Sequence, residues 1–372
     1  MFRSPRADRA GAVMNGWIGM MTKKKISLGF AAAWLAVTAC GAWADTFTGA
    51  GSSAAAPIYR SWGAAYERAT SHKLTYESAG SSAGVRKIKA REVGYGATDV
   101  APTRAELDKD GLLVFPIAIT GITPVVNLPR IADGQLRLNG TVLARIFMGQ
   151  VAQWNAPEIA QLNPGLALPN LPIKVIVRSD GSGTTYNYTD YLAKVHPDWQ
   201  AQFGVKNSIT WPTQFIGAKG SEGVSKAVRE TVGGISYVDF GYVRDYQLTP
   251  VQLADATGEF LNPSSDGFRT ALSASDWVSS GNFTTTLTNM NRRGAWPITM
   301  GTFVVVPQVA EKPQDVLPAL KFFAWSFMHG DELVQQSSFV RLPTRVQAAA
   351  FRIIASVKDK TGNPIGMQAT GF

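Results

Sequence analysis

Residues 173–185 have the sequence IKVIVRSDGSGTT, and this segment decides the fold class of the chain around it. The apolar run 173–177 predicts a buried strand, and the glycines and hydroxyls that follow predict a tight turn at its end. A helix is predicted to begin near Ser182, because apolar residues then recur at helical spacing, at Tyr188, Tyr191, Leu192 and Val195. A strand, a glycine-rich turn and a helix in succession are typical of an α/β fold.

The turn between this strand and helix has the chemistry of an anion site. Its glycines let the main chain approach a ligand closely, and the first N–H groups of a helix have no partner within the helix. The positive end of the helix dipole lies at the same point. Arg178 ends the strand with a guanidinium, which can bind an oxyanion through two hydrogen bonds. The turn therefore suits an anion site, although a single Ser/Gly turn is more often only a helix cap.

Two more segments repeat this chemistry. GAGSS at residues 49–53 and GSSAG at residues 80–84 each precede a predicted helix and combine glycines with hydroxyls. Each segment offers backbone N–H and side-chain O–H donors at the end of a strand. A tetrahedral oxyanion has four oxygens with many acceptor positions. We therefore expect these three glycine- and hydroxyl-rich turns, called corners below, to converge on one ligand.

The long-range pattern predicts two lobes. Short apolar runs alternate with helical patterns from residue 48 onward, which indicates the α/β class. Two long apolar stretches, at residues 114–127 and 296–306, are suited to crossing from one lobe to the other. We expect lobe I to comprise residues 45–126 and 300–372, and lobe II residues 127–299. A cleft between two lobes is a common location for a small ligand.

The N-terminus has the features of an export signal. Lys23-Lys24-Lys25 precedes an apolar run at residues 26–39, and Ala42-Trp43-Ala44 matches an A-x-A cleavage site. Residues 1–44 are therefore predicted to be a signal peptide cleaved after Ala44. The alternative is a lipoprotein anchored at Cys40, because VTAC at residues 37–40 resembles a lipobox. Cys40 is the only cysteine, so the cleaved chain is predicted to contain no disulfide.

The charge of the chain gives no sign of a nucleic-acid partner. The formal net charge is +9, of which the six basic residues and one acid before residue 45 contribute +5, leaving +4. No clustered basic stripe of the kind that binds nucleic acid is present in the sequence.

Together the corners resemble the ligand-binding segments of the phosphate-specific periplasmic binding proteins, which serve bacterial ABC importers. The similar segments are TGAGSS (48–53), GSSAGV (80–85), GATD (96–99), GQVAQWNAPEIAQLNPG (149–165), RSDGSGT (178–184), GISYV (234–238) and WPIT (296–299). The resemblance extends over nearly all of the chain after residue 44. It implies a type II periplasmic-binding-protein fold, in which two crossover strands join the lobes and inorganic phosphate binds in the cleft. It also implies an inner-membrane ABC permease and its ATPase as partners, a periplasmic location and a monomeric state, with no cofactor, no metal and no catalytic residue.

The resemblance also assigns roles to individual positions. The phosphate-binding residues implied by it are Ser53, Ala54 (through its N–H), Ser81, Asp99, Arg178, Ser182, Gly183 and Thr184. Asp180 is implied to orient Arg178. Many family members have phenylalanine where this chain has Ala54, but a main-chain contact does not need that side chain.

Asp99 is the informative residue of this set, because a carboxylate repels an anion. It is understandable if the ligand is protonated, as phosphate is near neutral pH and sulfate is not. The protonated oxygen would donate a hydrogen bond to Asp99, whereas sulfate would place lone pairs against it. A binding protein for another oxyanion such as sulfate is therefore the weaker alternative. Without the resemblance, Asp99 is equally well explained as a turn residue before Pro102.

A serine hydrolase is the alternative from another class of protein. GSSAG at residues 80–84 matches the nucleophile-elbow pattern G-x-S-x-G, with Ser82 as the nucleophile. The preceding residues 74–77 alternate polar and apolar side chains, whereas the central strand of a hydrolase is buried on both faces. The three histidines, His72, His196 and His329, have the surroundings of surface or capping residues. No Walker A motif and no cluster with metal-ligand spacing is present in the sequence.

Overall fold

The computed structural model describes residues 46–371. The predicted signal peptide, its cleavage site after Ala44 and the alternative anchor Cys40 lie outside the described residues. The strands of the described chain are β1 (Thr46–Gly51), β2 (Lys73–Glu77), β3 (Tyr95–Thr98), β4 (Leu112–Asn127), β5 (Arg137–Leu138), β6 (Lys174–Arg178), β7 (Ile216–Ala218), β8 (Gly234–Asp239), β9 (Thr249–Pro250), β10 (Gln252–Ala254), β11 (Phe260–Leu261), β12 (Leu287–Thr288), β13 (Ile298–Pro307), β14 (Val309–Ala310) and β15 (Lys358–Asp359).

Helices follow most of the strands, as the α/β pattern predicts. They are α1 (Ala56–Thr70), α2 (Ser81–Lys89), α3 (Arg104–Asp110), α4 (Gly140–Phe147), α5 (Pro157–Ala160), α6 (Gly183–Val195), α7 (Pro197–Gln202), α8 (Gly220–Glu230), α9 (Phe240–Asp245), α10 (Ser265–Ser273), α11 (Asp276–Ser279), α12 (Pro313–His329), α13 (Asp331–Gln336), α14 (Thr344–Ala355) and α15 (Ile365–Thr370). Within residues 46–371, no helix combines the length and the apolar character needed to cross a membrane.

The main sheet has the order β2-β1-β3-β13-β4-β8-β6-β7. β1, β2 and β3 are mutually parallel at one end, and β6, β7 and β8 are parallel at the other. Between these groups lie β4 and β13, which are antiparallel to each other and to the strands that flank them. The two parallel groups therefore run in opposite directions, and their carboxyl ends point toward each other.

Two apolar cores lie on opposite sides of this meeting point. The first packs aromatic side chains of α1 and α12, namely Tyr59, Trp62, Phe322 and Phe323. The second contains Tyr188, Trp199, Tyr237 and Trp296. β4 contributes Phe115 to the first core and Val126 to the second, and β13 is shared in the same way. Each long strand thus runs from one core to the other, as expected of the crossover strands of a two-lobed binding protein. The predicted lobe limits at residues 126 and 300 stay a prediction.

The local patterns behind the fold prediction are confirmed. The strand and helix around the 178–184 turn are β6 and α6, and Ser182 caps α6 by accepting a 3.1 Å hydrogen bond from the N–H of Thr185. Tyr188, Tyr191 and Leu192 are buried on the face of α6 that the spacing indicated. The apolar stretch predicted at 114–127 is β4, which starts two residues earlier.

Candidate anion-binding site

Arg178 and Asp180 form a bidentate ion pair in the candidate site. Arg178 ends β6 and is 4% exposed. Its Nε donates to Asp180 Oδ1 at 2.7 Å and its Nη2 donates to Oδ2 at 2.5 Å, a bidentate pair. Since an arginine has five N–H donors, three remain for a ligand. Burial acts to raise the pKa of Asp180, but the Arg178 guanidinium and the N–H of Gly220 hold that pKa below its ordinary value. Asp180 is therefore an anion that orients the guanidinium.

The start of α6 lies beside this pair. Ser182, Gly183 and Thr184 are all buried, and the first N–H groups of the helix lack intrahelical partners. Within the described chain, the hydroxyl of Thr184 is buried and accepts or donates no hydrogen bond. Buried polar groups normally have partners, so this corner has unused donors.

Asp99 comes from the opposite lobe, directly after β3, and is 3% exposed. Its Oδ2 accepts hydrogen bonds from the hydroxyls of Ser52, at 2.6 Å, and Ser81, at 3.2 Å. Its Oδ1 accepts none of ordinary geometry from residues 46–371. Burial raises the pKa of Asp99, while the hydroxyls of Ser52, Thr302 and Ser81 and the charge of Arg178 oppose that rise.

Ser53 and Ala54 lie in the turn between β1 and α1, and both are buried. The Oγ of Ser53 accepts a hydrogen bond from the N–H of Ser221 at 3.0 Å and lies 2.9 Å from the Ser221 hydroxyl. The main-chain carbonyl of Ser53 accepts a hydrogen bond from the Tyr242 hydroxyl at 2.7 Å. Ser53 therefore faces the second lobe, as Asp99 does.

The two lobes touch all around these residues. Besides the Ser53 contacts, Asn187 Nδ2 donates to the Asp99 carbonyl at 2.8 Å, Asn207 Nδ2 donates to Ser82 Oγ at 2.9 Å, and Ser82 N–H donates to the Gly181 carbonyl at 3.2 Å. All nine residues implied by the resemblance lie in the corners that these contacts bring together. Ser53, Asp99, Arg178 and Thr184 are each at most 4% exposed.

Glycine is required where the lobes approach most closely. A Cβ on Gly183 would lie 2.6 Å from Ser81 Oγ and 2.7 Å from Asp99 Cβ. Gly80 has a φ of +91°, and a Cβ there would lie 2.5 Å from Asp180 Oδ2. Larger residues at either position would hold the lobes apart.

Known proteins are similar in sequence to most of this chain. Residues 36–324 match the PBP superfamily domain. The chain is 41% identical over 306 residues to the phosphate-binding protein PstS of Haemophilus influenzae, covering 82% of this chain and 91% of that protein. The chain belongs to the PstS family. The PstS of Pasteurella multocida is 40% identical over 327 residues, covering 88% of this chain and 94% of the relative.

Solved structures support the same fold for this PstS-family chain. A high affinity periplasmic phosphate-binding protein (PfluDING) bound with phosphate has a TM-score of 0.64 and 19% identity, covering 87% of this chain and 97% of that one. A phosphate-binding protein from Stenotrophomonas maltophilia has a TM-score of 0.63 and 19% identity, covering 82% and 92%. At this identity they bear on the fold alone, and they confirm the predicted periplasmic-binding-protein class.

Several residues at the candidate site were not predicted from the sequence. Ser52, Asn187, Ser221 and Tyr242 contact the implied ligand residues, and Ser52 is fully buried. A sequence signal existed only for Ser52, which adjoins Ser53 in a segment already singled out. The other three lie on elements whose approach depends on how the lobes close.

Asp239, at the end of β8, is a second buried carboxyl near the site. Its Oδ1 accepts a 2.9 Å hydrogen bond from the N–H of Gly241, which caps α9. Burial raises the pKa of Asp239 to about 8, and the negative charges of Asp99 and Asp245 add to the rise. Asp239 is therefore neutral at pH 7, so it adds no second negative charge behind Asp99.

This raised pKa predicts how stability depends on pH. The folded-state pKa lies above the ordinary value of 3.8, so the contribution of Asp239 to stability is full below about pH 4 and is lost as the pH rises to about 8. Asp239→Asn removes this loss, and asparagine can still accept from Gly241. The free energy of unfolding of the variant, minus that of the natural protein, should increase by about 1.4 kcal/mol for each pH unit between pH 5 and 8. Urea unfolding across this range measures the effect, and parallel pH profiles would contradict it.

Proposed function

We propose that this protein binds inorganic phosphate in the closed cleft and delivers it to an ABC permease and its ATPase. The observation that supports the proposal most directly is the pairing of Arg178 and the start of α6 with a buried carboxylate, Asp99, from the other lobe. The guanidinium and helix N–H groups attract an anion. An ionised Asp99 can accept a hydrogen bond from an anion only if that anion retains a proton. The family to which the chain belongs is consistent with this ligand.

Binding is proposed to close the two lobes. The ligand residues divide between them, with Ser53, Ala54, Ser81 and Asp99 on one side and Arg178, Asp180, Ser182, Gly183 and Thr184 on the other. A ligand that contacts both sets binds the closed state more tightly than the open one and so shifts the population toward closure. The permease would then distinguish the closed protein from the open one.

The closed geometry favours free phosphate over its esters. The contacts of Asn187, Asn207, Ser221 and Tyr242 across the interface enclose the site. An organic substituent on the anion would have to pass between these partners and break their hydrogen bonds. The ligand is therefore proposed to be the small inorganic ion.

Isothermal calorimetry on the full chain tests the proposal. We expect saturable binding of phosphate at micromolar concentration and at least 10³-fold weaker binding of sulfate at pH 7.5, because a site built on a buried hydrogen bond rejects analogues that lack the partner. No phosphate binding, or equal affinity for sulfate, would contradict it. Tryptophan fluorescence offers an independent readout of lobe closure.

The protein is proposed to act without catalysis and as a monomer, and to be exported to the periplasm by the signal peptide at residues 1–44 or held there through Cys40. The hydrolase alternative lacks support at Ser82, whose hydroxyl accepts from the amide of Asn207. β2, which precedes this turn, is an edge strand with one face largely exposed. Ester hydrolysis that disappears in Ser82→Ala would instead favour an enzyme.

A further inference from the structure

We propose that Ser52 is a positioning residue for anion selectivity: its hydroxyl donates to Asp99 Oδ2 and so keeps the carboxylate ionised and oriented to accept the proton of the ligand. This inference rests on the proposed function and assigns a role to a residue outside the set implied by the family resemblance. Ser52 does not contact the ligand itself in this proposal. It acts through the carboxylate.

Ser52 is held rigidly by four hydrogen bonds. Its N–H donates to the Ala97 carbonyl at 3.0 Å, and its carbonyl accepts from the Tyr76 hydroxyl at 2.7 Å. Its Oγ accepts from the N–H of Ala55 at 3.1 Å and donates to Asp99 Oδ2 at 2.6 Å. Because Oγ accepts from Ala55, its single hydrogen is directed toward Asp99. A fully buried hydroxyl with every group engaged cannot turn away from the carboxylate.

The Ser52 bond also determines what Ser81 can do. Ser81 Oγ lies 3.2 Å from Asp99 Oδ2 and accepts from the N–H of Asp99 at 3.2 Å. The bond from Ser52 is shorter by 0.6 Å, so it is the stronger of the two. Because Ser52 already donates a hydrogen bond to Asp99 Oδ2, the hydroxyl of Ser81 can rotate and donate to an oxygen of the ligand instead. Without the Ser52 hydroxyl, the hydroxyl of Ser81 would donate to Asp99 Oδ2 and would not be available to the ligand.

The hydroxyl also favours the ionised form of Asp99. A hydrogen bond to a carboxylate stabilises its charged state, so its removal raises the tendency of Asp99 to bind a proton. A protonated Asp99 carries an O–H group, which can donate a hydrogen bond to a sulfate oxygen. The charged and titratable groups that act on Asp99 are Arg178 from β6, Asp239 from β8, Tyr59 from α1 and Tyr76 from β2.

The neighbours of Asp99 leave a pH range in which the protonation of the site can be measured. Burial raises the pKa of both tyrosines well above 10, and Asp239 changes its charge only near pH 8. Between pH 5 and 7 the charges of Asp239 and the two tyrosines change little, so a pH-dependent change at the site would come from Asp99 or from the ligand. A shift of the binding profile within this window reports on the carboxylate.

The test compares Ser52→Ala with the full natural chain by calorimetry, using phosphate and sulfate from pH 5 to 7. We expect the ratio of phosphate to sulfate affinity to fall about tenfold or more, since hydrogen bonds to charged groups are among the stronger ones. The pH below which sulfate binds should move upward by about one unit. Ser52→Cys, whose thiol is larger than a hydroxyl but is a weak donor, should show the same direction and serves if the alanine variant is unstable.

Ser264→Ala is the matched control. Ser264 also accepts a main-chain hydrogen bond at the start of a helix, from the N–H of Gly267 at 3.1 Å, but contacts no carboxylate. A folded Ser52 variant with the natural affinity ratio and pH profile would overturn the proposal, as would an equal change in Ser264→Ala. If the natural protein itself binds no phosphate, the proposed function fails instead, which this design distinguishes.

Discussion

We expect Arg178→Ala to weaken phosphate binding by about 10²–10³-fold. The guanidinium is buried and oriented by Asp180, so its remaining N–H groups would contact the anion without reorganisation. Removing one partner of a buried, hydrogen-bonded charge pair between protein and ligand costs about 2–5 kcal/mol of binding free energy, and every 1.4 kcal/mol is a factor of ten in affinity.

The selectivity of the Arg178→Ala variant is a separate readout. A guanidinium binds phosphate and sulfate through the same kind of contact, so the ratio of their affinities should change little. Arg178→Lys keeps the charge but loses the bidentate fork, and we expect intermediate affinity. Calorimetry with both anions measures these effects.

Arg293→Ala provides the control for removing a charge. Arg293 pairs with Glu259 but has a side chain that is 79% exposed, so its loss should leave phosphate affinity unchanged. Equal losses in the Arg178 and Arg293 variants would indicate a general effect of net charge. An Arg178→Ala protein that is folded and binds phosphate normally would contradict the placement of the guanidinium against the ligand.

The parts of the site that the sequence predicted are those determined by local chemistry. Ser182 and Gly183 follow a strand and start a helix, and this pattern needs no knowledge of the rest of the fold. Arg178 and Asp180 are two residues apart, so their pairing is nearly local as well. Such features are visible along the chain because the backbone itself brings the groups together.

The parts that the sequence did not predict depend on lobe closure. Asn187 lies on α6, yet its amide donates to the carbonyl of Asp99, 88 residues earlier. Tyr242 reaches the carbonyl of Ser53 across 189 residues. No spacing rule connects such positions, because their distance depends on how two separate cores pack on β4 and β13. Asp239 was missed for the same reason: only its burial in the folded chain makes its carboxyl unusual.

We expect Asp99→Asn to lower the preference for phosphate over sulfate by about 10³-fold or more. The asparagine Oδ1 can still accept the proton of phosphate, but its amide can donate to sulfate when the side chain rotates, and the negative charge that repelled sulfate is gone. Sites that depend on one buried hydrogen bond discriminate by about 10⁴–10⁵-fold, which bounds the loss. We expect sulfate affinity to rise and phosphate affinity to fall, both measured by calorimetry at pH 7.

Asp239→Asn separates the role of Asp99 from the effect of removing any buried carboxyl. Both side chains are nearly inaccessible, but Asp239 caps α9 and is neutral at pH 7, so its amide should leave sulfate excluded. If Asp99→Asn remains folded and still rejects sulfate, the proton of the ligand does not determine selectivity. Selectivity between phosphate and sulfate would then have to depend on where the oxygens of the anion lie relative to the donors of Arg178 and α6. That outcome would also contradict the proposed role of Ser52.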